Sequence, residues 1–183
     1  GERICLNIIQ RACGIASKTT EFTELIKGTR AKILDTRKTA PGLRFLDKYS
    51  VVCGGGMNHR YGLSDMIMIK DNHIDRAGSI TTAVERVRLS RFHALPIEVE
   101  CRTLEDVNEC LKLNIQRIML DNMSIDKMRE AVILVNGKTP LEASGGINEE
   151  TIRAVAETGV DFISVGSLTH SVKATDISLK INK

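Results

Sequence analysis

The 183-residue chain is 42% apolar and 27% charged, with no Pro-rich, Ser-rich or single-letter tract, which excludes a largely disordered or fibrous protein and allows one domain with a real core. Its net charge of +3, with 26 Lys and Arg scattered rather than striped, predicts no nucleic-acid or membrane partner, so any anion site must be local. The apolar runs fall short of the roughly 20 residues that span a bilayer, and the first residues lack a signal-peptide pattern. The expectation is therefore a soluble, cytoplasmic protein. Cysteines at 5, 13, 53, 101 and 110 form no CxxC pair, and their odd number suits a reducing compartment. They read as small core residues.

In chain order, the sequence opens on Gly1 and enters the helical pattern "ERICLNIIQRACGIAS" without a capping residue, as a chain beginning in mid-protein would. Residues 1–28 are read as a helical lead-in and 29–183 as a barrel, together one α/β domain. The first strand, "AKILD" (31–35), runs into "TRKTAPG", where Pro41 and Gly42 turn the chain away. "MIMIK" (66–70) is the second. A helix over "SITTAVERVRL" precedes "PIEVE" (96–100), whose alternation puts Glu98 and Glu100 on one face. Thr103 caps a helix over "TLEDVNECL", "RIMLD" (117–121) follows, and Ser124 caps a helix over "SIDKMREAVILV". After "PLEAS" (140–144), Asn148 opens a helix that closes at Gly159, and "FISVG" (162–166) is the sixth strand.

Alternating strand and helix gives parallel strands joined by right-handed crossovers, and the nearly continuous apolar strands imply that both faces are covered. Every strand delivers polar residues at its carboxyl end. An open doubly wound sheet concentrates its chemistry at one switch point, whereas a barrel gathers it from all strands. An incomplete (β/α) barrel of six or seven parallel strands is expected.

Three groups carry the chemistry. Ser144, Gly145, Gly146 and Gly166, after the last two strands, let backbone N–H groups approach a phosphate. Arg37, Lys38, His59, Arg60 and Lys70, with "GGGMNHR" as a glycine-rich loop, imply a ligand with several negative charges. Lys70 ends an apolar run and is hard to place in open water. Glu100 and Asp121 can accept from sugar hydroxyls or help hold Mg2+ on a phosphorylated ligand. Zinc spacing, a Walker loop, GxGxxG and a nucleophile elbow are all absent. His73, His93 and His170 carry no clear signal.

The segments "ILDTRKTAPGLR", "GGGMNHRYGLSDMIMIKDNHI", "EVEC", "IMLDN", "EASGGI" and "VGSLTHSVKATDISLKI" resemble the quinolinate phosphoribosyltransferase family, in order and over the whole chain. The resemblance implies a type II phosphoribosyltransferase-like barrel without the family's N-terminal domain. It also implies a pentosyltransferase reaction: quinolinate and phosphoribosyl pyrophosphate give nicotinate mononucleotide, pyrophosphate and CO2, with Mg2+, in de novo NAD biosynthesis. Thr36, Arg37, Lys38, His59, Arg60 and Lys70 match its quinolinate pocket; Glu100 and Asp121 match its ribose and Mg2+ contacts; Ser144, Gly145, Gly146 and Gly166 match its phosphate loops. Lys70, Glu100, Asp121 and Lys38 are the expected catalytic residues, and a homodimer or higher homo-oligomer is implied for the full-length protein. No family role falls on Asp35, which is expected to pair with a neighbouring cation and hold its loop. Two other readings stay open: a phosphate-binding barrel enzyme using Lys70 as a Schiff base, and a barrel that binds phosphorylated anions without turnover.

Overall fold

A computed structural model of the chain describes residues 1–180. The elements follow as α1 (Glu2–Leu25), β1 (Lys32–Leu34), α2 (Arg44–Cys53), β2 (Ile67–Ile69), α3 (Asp71–Ala77), α4 (Ile80–Arg88), β3 (Ile97–Cys101), α5 (Leu104–Leu111), β4 (Arg117–Asp121), α6 (Ile125–Val135), β5 (Leu141–Ser144), α7 (Ile152–Ala156), β6 (Phe162–Ser164) and α8 (Ser167–His170).

All six strands are parallel, in the order β1-β6-β5-β4-β3-β2. An order that descends without reversal and joins the first strand to the last is a ring opened between β1 and β2, not a doubly wound sheet. The opening is partly filled by the glycine-rich loop. Met57 forms a parallel bridge to Leu34, its N–H donates to the Ile33 carbonyl at 2.8 Å and its carbonyl accepts from Asp35 N–H. The expected incomplete barrel is thus six strands plus a one-residue seventh position.

The core lies between strands and helices. Ile33, Val99, Ile118, Leu120, Ala143 and Ile163 point outward into one cluster with Val84, Val107, Ala131 and Val155 of the helices. Alternation sends Leu34, Glu98, Arg117, Met119, Glu142 and Ser164 the other way, into the barrel. Both faces are covered, as expected, but the inner one buries charge: Glu98 and Glu142 have zero exposure. A short apolar run reads the same whether one or two of its residues are charged, and only the pairing brings those charges together.

Ser79, Thr103 and Ser124 cap their helices through side-chain acceptors. At Thr103 the Asp106 side chain returns a bond to the cap, so two otherwise unpaired N–H groups are satisfied. Other boundaries differ. The helix expected from Asn148 begins at Ile152, because Asn148 Oδ1 accepts from Glu150 and Thr151 N–H in a turn. α1, from Glu2 to Leu25, lies within the helical lead-in read over 1–28. α2 escaped notice because its buried face carries Asp47, Lys48 and Ser50 beside Val51, which hides the apolar period. Cys101 and Cys110 are core residues as expected, whereas Cys5 and Cys53 are exposed; all five are free thiols.

Candidate active site

At the carboxyl ends of the strands lies a cavity of about 940 Å³, open to solvent. Thr36, Arg37, Lys38, His59, Arg60, Lys70, Glu100, Asp121, Ser144, Gly145, Gly146 and Gly166 all line it. Residues drawn from every strand end therefore share one chamber.

The first wall is the loop after β1. Thr36 Oγ1 accepts from Lys38 N–H at 3.1 Å, the Lys38 carbonyl accepts from the Thr169 hydroxyl, and Ala40 N–H donates to Asp47. Asp47 is in turn gripped by both arms of the Arg11 guanidinium, at 2.8 and 2.7 Å. Asp35 takes the role expected for it. Fully buried, it accepts from Lys48 Nζ, from Asn58 Nδ2 at 2.6 Å and from His59 N–H at 2.8 Å, tying the loop of β1 to the glycine-rich loop.

Arg37, Lys38 and Arg60 form no ion pair among the described residues, and Arg37 Nε is buried without a partner. Burial, and then the nearby Arg37 charge, hold Arg60 below the usual guanidinium value. Cations placed side by side without counterions are unfavourable alone and become favourable with an anion between them. Lys70 differs from its expected burial: its side chain is 47% exposed to the cavity and bonded to Glu100 at 2.7 Å. A lysine engaged as an ammonium is poorly placed for Schiff-base chemistry, which needs the neutral amine.

The second wall is backbone. Gly145 and Gly146 have φ of +100° and +61°, a conformation L-residues rarely take, and a Cβ on Gly145 would lie 2.3 Å from Asn122 Oδ1. Consecutive left-handed glycines turn N–H groups into a concavity suited to anions. At Gly166 the backbone is ordinary, but a Cβ would crowd His170 at 3.0 Å, so glycine keeps this side open. Between the walls stand Glu100 and Asp121, the latter accepting from Asn122 Nδ2 at 3.0 Å. Two carboxylates beside a phosphate cradle fit Mg2+, which takes one or two protein oxygens and completes its shell with phosphates and water.

Under the cavity is a network that sequence reasoning missed, apart from His59 and the shared face of Glu98. Glu142 accepts from Arg117 at 2.9 Å and from the Ser164 hydroxyl, and Arg117 stacks on the Phe162 ring at 4.4 Å. His59 Nε2 lies 3.0 Å from Glu98 and 3.4 Å from Glu142. Burial disfavours a second proton on His59, and Glu142 and Glu98 more than reverse this, pushing it up to about 9. That proton would have to occupy Nδ1, however, and Nδ1 already accepts from Arg60 N–H at 2.6 Å. Hydrogen-bond geometry decides for a ring carrying one hydrogen, on Nε2. His59, Glu98 and Glu142 offer ligand atoms within 4.8 Å of one another, but an Nε2 that keeps its hydrogen has no lone pair for a metal.

Lys18, Asn122, Glu149 and His170 also line the cavity and were not expected there. Asn122 and His170 had a signal, since they follow Asp121 and Gly166 closely; Lys18 comes from α1, where it pairs with Glu149 across the rim, and had none. His73 is structural, its Nδ1 accepting from Lys70 N–H.

Fold and site together define an opened parallel α/β barrel whose strand ends converge on one cavity, lined by cations without ion-pair partners and by consecutive left-handed glycines. Residues 15–180 match the family described as quinolinate phosphoribosyl transferase, C-terminal domain, and the chain belongs to that family. It is 49% identical over 199 residues to the chloroplastic nicotinate-nucleotide pyrophosphorylase [carboxylating] of Oryza sativa subsp. japonica, covering 99% of this chain and 53% of that protein. It is also 49% identical to a probable nicotinate-nucleotide pyrophosphorylase [carboxylating] of Bacillus subtilis (strain 168), covering 99% and 63%. The crystal structure of nicotinate-nucleotide pyrophosphorylase from Ehrlichia chaffeensis superposes with a TM-score of 0.93 at 49% identity, covering 98% of this chain and 65% of that one. The chain thus spans between half and two thirds of the length of these relatives.

Proposed function

We propose that this barrel carries the chemistry of a quinolinate phosphoribosyltransferase: transfer of phosphoribose from phosphoribosyl pyrophosphate to the ring nitrogen of quinolinate, with loss of CO2, giving nicotinate mononucleotide for NAD synthesis. The observation that supports it best is the meeting of two walls in one cavity, one of Arg37, Lys38 and Arg60 without ion-pair partners and one of the Gly145–Gly146 turn. Quinolinate carries two adjacent carboxylates that fit the first wall, and the 5′-phosphate fits the second.

Holding the two substrates together supplies the proximity the reaction needs. As pyrophosphate departs, the anomeric carbon gains positive charge, which Glu100 and Asp121 stabilise from between the walls. Mg2+, held by the same carboxylates and the substrate's phosphates, would neutralise charge on the leaving group. Ribosylation makes the ring nitrogen cationic, so the carbanion left by decarboxylation is stabilised within the substrate and takes a proton from Lys70 or Lys38. The same reading places the protein in the cytoplasm, where its five free thiols suit a reducing medium, and as a homodimer, with exposed Ile4, Ile8, Phe45 and Tyr49 supplying apolar surface. No described helix is long and apolar enough to cross a membrane.

Incubation with quinolinate labelled at its 2-carboxylate, phosphoribosyl pyrophosphate and Mg2+ tests the proposal through release of labelled CO2. The assay is run on this chain and on one extended to the full length of its relatives. Release by neither would refute it. Binding of both substrates without release would favour the non-catalytic barrel, and borohydride trapping at Lys70 the Schiff-base enzyme.

A further inference from the structure

The charges buried under the cavity are costly, and nothing in the proposed reaction uses them. Glu98 is the sharpest case: it has no exposure, and neither of its oxygens has a well-formed hydrogen bond. His59 Nε2 lies 3.0 Å from it, and Arg117, engaged with Glu142, is its register partner on β4. Glu142 is already satisfied by Arg117 and Ser164, and their charges balance. Charged or neutral, a carboxyl at this position presents an oxygen to an imidazole N–H.

His59 is held by its backbone as well: its N–H donates to Asp35 Oδ1 and its carbonyl accepts from Lys48 Nζ at 2.9 Å. With that backbone fixed, the ring reaches Arg60 N–H through Nδ1. The Arg60 guanidinium is anchored at its other end by the Met66 carbonyl, at 3.1 Å. Were Nδ1 to gain a hydrogen, two N–H groups would face each other across 2.6 Å and Arg60 would have to turn away from the wall.

We propose that Glu98, with Glu142, is a positioning pair that keeps the His59 hydrogen on Nε2 and so fixes Arg60 at the anion-binding wall. Glu98 touches no ligand; it acts through a ring that acts through a backbone amide. The part assigned to Arg60 rests on the proposed function, whereas the His59 tautomer does not.

The test is the long-range 1H–15N correlation spectrum of the four histidines in the unliganded chain. His59 is expected with its hydrogen on Nε2 and Nδ1 accepting, unchanged between about pH 6 and 8, where an ordinary imidazole titrates. Glu98→Gln, whose amide carbonyl still accepts, keeps this signature. Glu98→Leu moves part of the hydrogen to Nδ1 and weakens pyridine-2,3-dicarboxylate binding about tenfold, leaving phosphoribosyl pyrophosphate binding unchanged, as expected when an orienting partner is lost. A wild-type His59 with its hydrogen on Nδ1, or with both nitrogens protonated, overturns the proposal, as does a Glu98→Leu variant with the wild-type tautomer. Absence of dicarboxylate binding in the wild type together with the expected tautomer would instead count against the proposed function.

Discussion

The glycine cradle yields a comparison that isolates crowding from backbone strain. Gly145 and Gly146 both have positive φ, so alanine at either site adopts a left-handed conformation that costs about 1–2 kcal/mol. At Gly146 that is the whole effect, since a Cβ would meet nothing within 4 Å. At Gly145 the new methyl would overlap the Asn122 amide, with Oδ1 at 2.3 Å, Cγ at 2.4 Å and Nδ2 at 2.8 Å. All three belong to a side chain, so Asn122 can rotate, but rotation breaks its 3.0 Å bond to Asp121. A bond of this kind adds about 0.5–1.5 kcal/mol. Gly145→Ala should therefore cost about 1.5–3.5 kcal/mol and Gly146→Ala about 1–2 kcal/mol. Urea unfolding followed by circular dichroism measures both, with ribose 5-phosphate binding as a second readout that should fall more for Gly145→Ala, because Asp121 also loses its orienting partner. Equal losses of stability would refute the crowding argument and leave only the conformational one.

Arg37→Ala should weaken quinolinate binding by about 2–4 kcal/mol, the worth of a buried bidentate pair, with much less effect on phosphoribosyl pyrophosphate; calorimetric titrations showing equal weakening would count against Arg37 as a carboxylate ligand. Glu100→Gln should lower kcat more than it raises KM for quinolinate, because its charge matters most when the anomeric carbon becomes cationic; a wild-type kcat would remove Glu100 from the transition-state environment. Asp65 supplies a pH dependence: burial tends to raise its carboxyl, but N–H donors from Tyr61 and Gly62 outweigh this and hold it below the usual Asp range. Its contribution to loop stability is then present above the ordinary Asp value and is lost as pH falls through the lowered folded value. Amide protection at Tyr61 and Gly62, relative to the intrinsic exchange rate at each pH, should fall on acidification in the wild type, and no such step should remain in Asp65→Asn.

The strands were legible because each is a short apolar run with an abrupt polar end, and the caps at Thr103 and Ser124 because a side-chain oxygen beside a helical period has few other uses. Lys70 was read as buried from its apolar run, yet Glu100 draws it out into the cavity. α2 stayed hidden because the face it buries is polar: Asp47 and Lys48 are neutralised by Arg11 and Asp35, residues 36 and 13 positions away. No local pattern reports a partner at that distance.

By itself the sequence determined which residues end the strands and which share a strand face, since alternation and propensity are local properties. It thereby placed the cationic group, the carboxylates and the glycine cradle at the same end of a parallel sheet. Tertiary structure alone decided that β1 closes onto β6, that Met57 fills part of the remaining gap, and that Glu98, Arg117 and Glu142 meet beneath His59. Those facts depend on which strands lie side by side, and the burial that selects one pairing over another is summed over the whole chain.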